Sequence, residues 1–135
     1  MNLKDLVLPE KTVTFEFPGC EGFKVDLAFL AKEEIVKLTK ESTKTIYDKR
    51  TKQPSEEFDS EKFLSLYSKR VIKGWEGLKM KYLQDLILIN STGQDPDAEL
   101  EFNEENAEVL LKNSNIFDNW VSDMTGDLTN FTKSA

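Results

Sequence analysis

The sequence predicts a mainly α-helical protein with a small N-terminal antiparallel β-hairpin, an α+β class in which residues 1–135 form a single compact helical domain. Apolar and polar residues alternate on both sides of a turn within residues 12–27, which is typical of two paired strands. From residue 30 the apolar residues recur at steps of three and four, which is typical of amphipathic helices. We therefore expect a hairpin at residues 12–27 and a helical part at residues 30–133.

The hairpin is predicted from strict alternation and from turn chemistry. Val13, Phe15 and Phe17 fall on one face of the first strand, and residues 18–22 contain a proline and two glycines. The second strand repeats the pattern with three apolar residues at alternate positions, Phe23, Val25 and Leu27. Because a two-stranded hairpin is marginally stable alone, we expect it to pack on the helices that follow.

Two helices are predicted next, separated by a polar loop. The first spans residues 30–46, and its stripe consists of Ile35, Leu38, Ser42 and Ile46. Residues 48–57 are polar and contain a proline, so we interpret them as a loop. Asp59 or Ser60 caps the second helix, which is expected to reach Lys73 before the sequence Gly74-Trp75-Glu76-Gly77 ends it.

The C-terminal half is also predicted to be helical. Residues 78–90 fit a short helix, which we favour over a buried strand at residues 86–89. Asn103 is expected to cap a helix with two glutamates in its first turn. A long amphipathic helix bent at Gly126 then follows from a stripe at three- and four-residue steps: Phe117, Trp120, Val121, Met124, Leu128 and Phe131.

Composition excludes several chemistries. The chain has no histidine and one cysteine, so triads that need an imidazole, zinc sites with four Cys or His ligands, and internal disulfides are excluded. Its net charge is −7, which disfavours binding to nucleic acid or anionic lipid. Neither a signal peptide nor a membrane-spanning run is present. We expect a soluble, intracellular, non-enzymatic protein without a cofactor.

Alternating acidic residues at 95–101 suggest calcium at first sight. An EF-hand loop needs glycine at its sixth position and glutamate at its twelfth, and counting from Asp95 these positions hold Leu100 and Asn106. We therefore expect no metal site there. A local run of six cations is either a solvated face or a docking patch for an acidic partner: Lys37, Lys40, Lys44, Lys49, Arg50 and Lys52.

Five apolar residues are the candidate partner-binding positions. Large side chains at helical spacing are usually buried in the core, but some of this surface can instead be offered to another helix or subunit. The sequence leaves both interpretations open for these residues: Trp75, Phe117, Trp120, Val121 and Met124.

The chain resembles the tail assembly chaperones of long-tailed bacteriophages. Four short patches carry the resemblance, in the expected order and over nearly the whole chain. The first two are the hairpin from Val13 to Leu27 with its turn Pro18-Gly19-Cys20-Glu21-Gly22, and the run Val71-Ile72-Lys73-Gly74-Trp75-Glu76-Gly77-Leu78. The last two are Leu100-Glu101-Phe102-Asn103-Glu104-Glu105-Asn106-Ala107 with Leu110-Leu111, and Phe117-Asp118-Asn119-Trp120-Val121 through Asp127-Leu128-Thr129-Asn130-Phe131. Residues 80–98 match the family poorly.

The resemblance implies a small α-rich protein that is made late in infection, acts in the host cytoplasm and is absent from the finished virion. It would coat the helical tape measure protein, keep it soluble and bring it to tail tube subunits. It would form homo-oligomers, and a longer form would arise by frameshifting near Lys133-Ser134-Ala135. The rival hypotheses are a structural tail component retained in the virion, an acidic decoy that inhibits a host enzyme, and a small hydrolase with paired carboxylates.

Overall fold

The computed structural model describes residues 1–132 and has an α+β fold with more sheet than the sequence predicts. It is 43% helical and 23% strand, with six α-helices and two antiparallel sheets of three and two strands. The expectation of a mainly helical protein with one N-terminal hairpin is therefore wrong. Three strands lie in segments that were assigned to helix, loop or helix end.

The elements follow one another along a chain that begins with a short 3₁₀-helix, Leu3–Asp5. Their bounds, in chain order, are β1 Glu10–Glu16, β2 Lys24–Leu30, α1 Lys32–Glu41, β3 Thr43–Tyr47, β4 Pro54–Phe58, α2 Ser60–Val71, β5 Ile72–Glu76, α3 Met80–Leu86, α4 Glu104–Asn113, α5 Asn115–Thr125 and α6 Thr129–Thr132.

The predicted N-terminal hairpin is present and is longer than expected. β1 and β2 pair antiparallel over seven residues each, from Glu10 opposite Leu30 to Glu16 opposite Lys24. The backbone N–H of Phe17 donates to the carbonyl oxygen of Phe23 at 2.8 Å and closes the turn.

β5 is a third strand in a place where the sequence suggested the end of a helix. It pairs antiparallel with β2, so the strand order is β1-β2-β5. Gly74 lies opposite Asp26, and a Cβ at Gly74 would come within 2.9 Å of the Asp26 carboxylate. The glycine therefore permits close strand pairing, and it does not end a helix as its sequence neighbourhood suggested.

β3 and β4 form a second hairpin where a helix and a loop were expected. α1 ends at Glu41, and the Ser42 hydroxyl donates to the carbonyl oxygen of Leu38 at 2.8 Å. The β-branched and aromatic residues that follow, including Ile46 and Tyr47, favour an extended backbone. Pro54 opens β4 and pairs with Tyr47.

The remaining helices are mostly as predicted, with one difference at the C-terminus. Asp59 caps α2 by accepting from the Lys62 N–H at 3.1 Å, and Asn103 caps α4 at 2.7 Å. Residues 80–86 are helical. The single long C-terminal helix is wrong, because α5 ends at Thr125 and α6 begins afresh at Thr129, whose N–H bonds the Asp127 carboxylate. The expected end of the helical part, residue 133, lies outside the described residues.

The core is centred on β2 and on the aromatic residues at the closed end of the hairpin. α1, α2 and α5 all pack against β2, and α4 packs against α2 and α5. Phe23 and Phe117 are fully buried, with ring centroids 6.5 Å apart in a stacked arrangement. Phe131 of α6 packs edge-on against Phe15 of β1 at 5.4 Å. The core thus joins both ends of the described chain.

Candidate partner-binding surfaces

Trp75, the first of the predicted partner-binding residues, lies in the core near the end of β5. It is only 9% exposed, and its indole Nε1–H donates to the carbonyl oxygen of Leu100 at 3.0 Å. Phe102 packs edge-on against it with ring centroids 5.1 Å apart. Its polar atom is therefore already bonded inside the protein, as is typical of a buried tryptophan.

The four predicted partner-binding residues of the C-terminal stripe also face inward, whereas Leu128 of the same stripe is 53% exposed. Phe117 and Val121 are fully buried. Trp120 is half-buried and packs edge-on against Phe17 at 4.8 Å. Met124 is half-buried, and its carbonyl oxygen accepts from the Asn130 side chain at 3.0 Å. The structure thus brings these four residues together on the inner side of α5, and their role in binding a partner stays a prediction.

A groove of mixed apolar and polar lining opens between the end of α3 and the start of α5; we call it the α3–α5 groove. It is open to solvent, has a volume of about 440 Å³ and is lined by Gln84, Asp85, Leu86, Ile87, Leu88, Ile89, Asn113, Asn115 and Ile116. Leu88 is fully exposed and Ile116 is 56% exposed. Amide side chains and one carboxylate border these apolar residues. An apolar strip with a polar border is the usual composition of a protein-binding surface.

The second exposed surface is the β3–β4 hairpin, residues 43–58, which we call the β3–β4 arm. Every residue from 44 to 58 is exposed, including Ile46, Tyr47 and Phe58. Its base is held by a hydrogen bond of 2.7 Å from the Asp59 N–H to the carbonyl oxygen of Ser42. Its tip carries three of the six cations that the sequence pattern singled out, Lys49, Arg50 and Lys52.

The N-terminal segment adds a third exposed apolar stretch, residues 3–8. Its large side chains are more than half exposed, and they are Leu3, Leu6, Val7 and Leu8. Leu8 also lines a small pocket of about 160 Å³ together with Phe29, Leu128 and Phe131. This pocket is much smaller than the α3–α5 groove.

A cluster of ion pairs joins the elements around Arg70. The Arg70 guanidinium lies 3.1 Å from Glu34 of α1 and 3.5 Å from Glu10 of β1, and Lys73 lies 3.1 Å from Glu10. Hydrogen bonds from Lys37 and Arg70 hold the pKa of the Glu34 carboxyl below its usual value. Every charge in this cluster has a partner of opposite sign, so the cluster ties α1, α2 and the sheet together.

Cys20 is the one thiol of the chain, and its surroundings disfavour the thiolate form. The residue is buried in the turn between β1 and β2. Burial, with a smaller contribution from the Asp85 carboxylate, raises the pKa of its thiol. The thiolate is the nucleophilic form, so a raised pKa lowers reactivity at neutral pH.

Metal-binding and membrane-spanning features are not found in the described part of the chain. Among residues 1–132, no three Cys, Asp or Glu side chains are grouped in a way that could hold a metal ion. The acidic residues at 95–101 belong to that range. No helix within it has the length and apolar character needed to cross a membrane.

The α3–α5 groove was missed by the sequence reasoning. Leu88 and Ile116 belong to different segments of the chain, and neither lies on an apolar stripe that the helical spacing marks. One available signal was the apolar run Leu86-Ile87-Leu88-Ile89. The helix α3 ends at Leu86, so three apolar residues of this run follow the helix. The cations of the β3–β4 arm were identified from sequence, but they were placed on a helix and a loop.

Comparison with known proteins gave one family. The family model described as YdaY prophage protein matches residues 30–135, which is more than three quarters of the chain. The matched range includes both the β3–β4 arm and the α3–α5 groove. Neither the curated proteins nor the solved structures gave a match.

Proposed function

The chain belongs to the YdaY prophage protein family, and on that premise we propose that it is a non-enzymatic tail assembly chaperone. Membership makes it a phage-derived protein. In the proposed role it binds the tape measure protein of its phage, keeps that protein soluble and promotes assembly of tail tube subunits around it. It acts in the host cytoplasm and is absent from the mature virion.

The observation that carries the proposal is the α3–α5 groove. A protein with net charge −7 exposes Leu88 completely and Ile116 by more than half, side by side with Ile87 and Ile89. Exposed apolar side chains of this size stabilise little in the isolated protein, whereas they contribute on contact with a partner. An amphipathic helix bound along its apolar face is one established way to cover such a groove.

Charge supports a tape measure helix as the occupant. Asp85 is the one charged residue among those that line the groove, so an apolar helix face meets little desolvation cost there. The rest of the chain is acidic and would attract a helix whose polar face carries lysine and arginine. The same net charge keeps chaperone and client complexes dispersed.

A non-enzymatic role is favoured by the chemistry of the side chains. The sequence contains no histidine, and the thiol of Cys20 is buried with a raised pKa. A chaperone needs no nucleophile or general base. It does need several weak contacts along a long client, so homo-oligomers and a longer frameshifted form would both increase avidity.

Co-expression with the tape measure protein of the same prophage tests the proposal. We expect the tape measure protein to be insoluble alone, soluble with this chain, and co-eluting with it in size-exclusion chromatography. An insoluble client with no co-eluting complex would contradict the proposal. Maltose-binding protein without a fusion, expressed from the same plasmid, controls for a general effect of expression load.

A structural tail component is the main alternative, and virion composition separates it from a chaperone. Mass spectrometry of purified virions should find the major tail tube subunit and no stoichiometric amount of this chain. Stoichiometric recovery of this chain from intact particles would favour the structural role.

A further inference from the structure

The β3–β4 arm contacts α1 and α2 at its base and has little of the packing that normally stabilises a small hairpin. Both of its strands belong to a two-stranded sheet, and residues 44–58 are all exposed. The packing recorded at its base includes Phe58 against Phe63, with ring centroids 5.5 Å apart. An isolated two-stranded hairpin is marginally stable in water. A partner on the arm would supply the missing contacts, and Tyr47 and Ile46 are 68% and 44% exposed and available for them.

The tip of the arm is positively charged. Residues 48–53 contain Lys49, Arg50 and Lys52 against one acid, Asp48, which gives a local charge of +2 in a chain of −7. The Asp48 carboxylate is occupied locally, because it accepts the backbone N–H of Arg50 at 2.7 Å. Within residues 1–132 none of the three cations forms an ion pair. The cations of the tip are therefore available to pair with an acidic partner.

The same chain carries a matching acidic surface, which we call the acidic segment, residues 95–108. It contains seven carboxylates and no lysine or arginine: Asp95, Asp97, Glu99, Glu101, Glu104, Glu105 and Glu108. All but Glu108 are exposed. Among the described residues, the ion pair recorded for this segment joins Asp97 to Lys81 at 3.5 Å. Most of its charge is therefore unneutralised.

The arm leads directly into the N-terminus of α2, and the acidic segment ends with Glu108, which lines a pocket with Glu61 in the first turn of α2. Glu99 of the acidic segment forms a backbone bridge with Lys79, which follows β5, and β5 itself follows the C-terminus of α2. Glu61 at the start of α2 and Lys112 at the end of α4 line one pocket, so α2 and α4 run antiparallel. Within residues 1–132 no ion pair joins the tip of the arm to the acidic segment of the same chain, which favours a contact between copies.

We propose that the β3–β4 arm of one copy docks on the acidic segment of a second copy and builds a head-to-tail oligomer. Two different patches that are complementary to each other form a heterologous interface, which generates rings or open chains. The cations of the tip pair with the carboxylates of the neighbour, and the neighbour covers the exposed apolar residues of the arm. This inference concerns self-assembly and stands apart from the proposed binding of the tape measure protein.

Charge reversal with rescue tests the interface, using sedimentation velocity of the full chain at low and high salt. Lys49→Glu/Arg50→Glu changes the charge of residues 48–53 from +2 to −2, and Glu99→Lys/Glu101→Lys/Glu104→Lys/Glu105→Lys changes that of the acidic segment from −7 to +1. Each variant alone should self-associate at least about tenfold more weakly than the wild type, since like charges then face each other. The equimolar mixture should associate again, because each reversed patch meets a patch of opposite charge. Lys11→Glu/Lys24→Glu is the control for the reversed arm, with the same charge change of −4 on exposed lysines of the first hairpin.

The wild-type oligomer should weaken when salt is raised from about 0.05 M to 0.5 M, because salt screens exposed charges. A wild-type chain that stays monomeric at low salt would overturn the inference. So would a reversed arm that leaves self-association unchanged, or a mixture that does not restore it. A variant that becomes monomeric but still solubilises the tape measure protein leaves the proposed function standing, so the two hypotheses are tested separately.

Discussion

The indole Nε1–H of Trp75 donates a 3.0 Å hydrogen bond to the carbonyl oxygen of Leu100. The bond joins β5 to the segment before α4, and it lies beside a backbone bridge between Lys79 and Glu99. Trp75 therefore holds together two parts of the chain 25 residues apart. This relationship explains why a tryptophan flanked by glycines is buried in the core, and it leads to the first prediction.

Trp75→Phe should destabilise the protein without weakening its binding to the tape measure protein. The substitution leaves the half-buried Leu100 carbonyl without the indole donor and removes part of the contact with Phe102, and we expect a loss of about 2 kcal/mol in the free energy of unfolding. Urea denaturation followed by circular dichroism measures the loss. Unchanged stability would show that the hydrogen bond contributes nothing. Binding of the tape measure protein should stay intact, since Trp75 is buried.

Gly77→Ala should be much more destabilising than Gly93→Ala. Both glycines have positive φ, 75° and 79°, so both substitutions carry the same backbone cost of about 1–2 kcal/mol. A Cβ at Gly77 would also lie 2.1 Å from the carbonyl oxygen of Gly22, whereas a Cβ at Gly93 meets nothing within 4 Å. The difference between the two variants in thermal or urea unfolding isolates this clash. Equal effects would contradict the close approach of the two turns.

Glu34→Gln should reduce the sensitivity of stability to acid. The pKa of the Glu34 carboxyl is lowered in the folded protein, chiefly by the hydrogen bond from Lys37 and then by that from Arg70. A lowered pKa means that the folded state favours the ionised form. The stabilisation is therefore present above the unfolded-state pKa and is lost as the pH falls toward and below the folded-state pKa. Urea midpoints across this acidic range should fall less steeply for the variant, and identical slopes would contradict the contribution of Glu34.

The thiol of Cys20 should react slowly in the folded protein. Burial, together with the Asp85 carboxylate, raises its pKa and shields its sulfur. At pH 7.5 we expect Ellman's reagent to modify it at least tenfold more slowly than in 6 M guanidinium chloride. A rate equal to that of the unfolded chain would show that the turn between β1 and β2 opens readily. Such opening would also expose Phe17 and Phe23.

Sequence reasoning succeeded where local chemistry decides structure. The first hairpin follows from alternation and two glycines, and the caps at Asp59 and Asn103 follow from side chains that accept backbone N–H groups. It failed for β5, because pairing with β2 overrides the local signal of Gly74 and Gly77. It also failed for β3, because the helical stripe of α1 happens to continue through Ile46.

The candidate surfaces could be predicted only in part from the sequence, because tertiary packing decides which apolar residues are exposed. A stripe of apolar residues shows which side of a helix is apolar, but it does not show whether that side meets the core or a partner. Phe117 and Val121 face the core. Leu88 and Ile116 face solvent, and they become neighbours only through the packing of α3 against α5.

The most direct test of the chaperone proposal compares two double variants in co-expression with the tape measure protein. Leu88→Ser/Ile116→Ser removes the exposed apolar side chains of the α3–α5 groove, and Val36→Ser/Val109→Ser removes apolar side chains that are 42% and 46% exposed elsewhere. Exposed substitutions change stability little, so both variants should fold. We predict that the groove variant loses the soluble, co-eluting complex and that the control variant keeps it. A groove variant that solubilises the tape measure protein as well as the wild type would contradict the assignment of the groove as the client-binding surface.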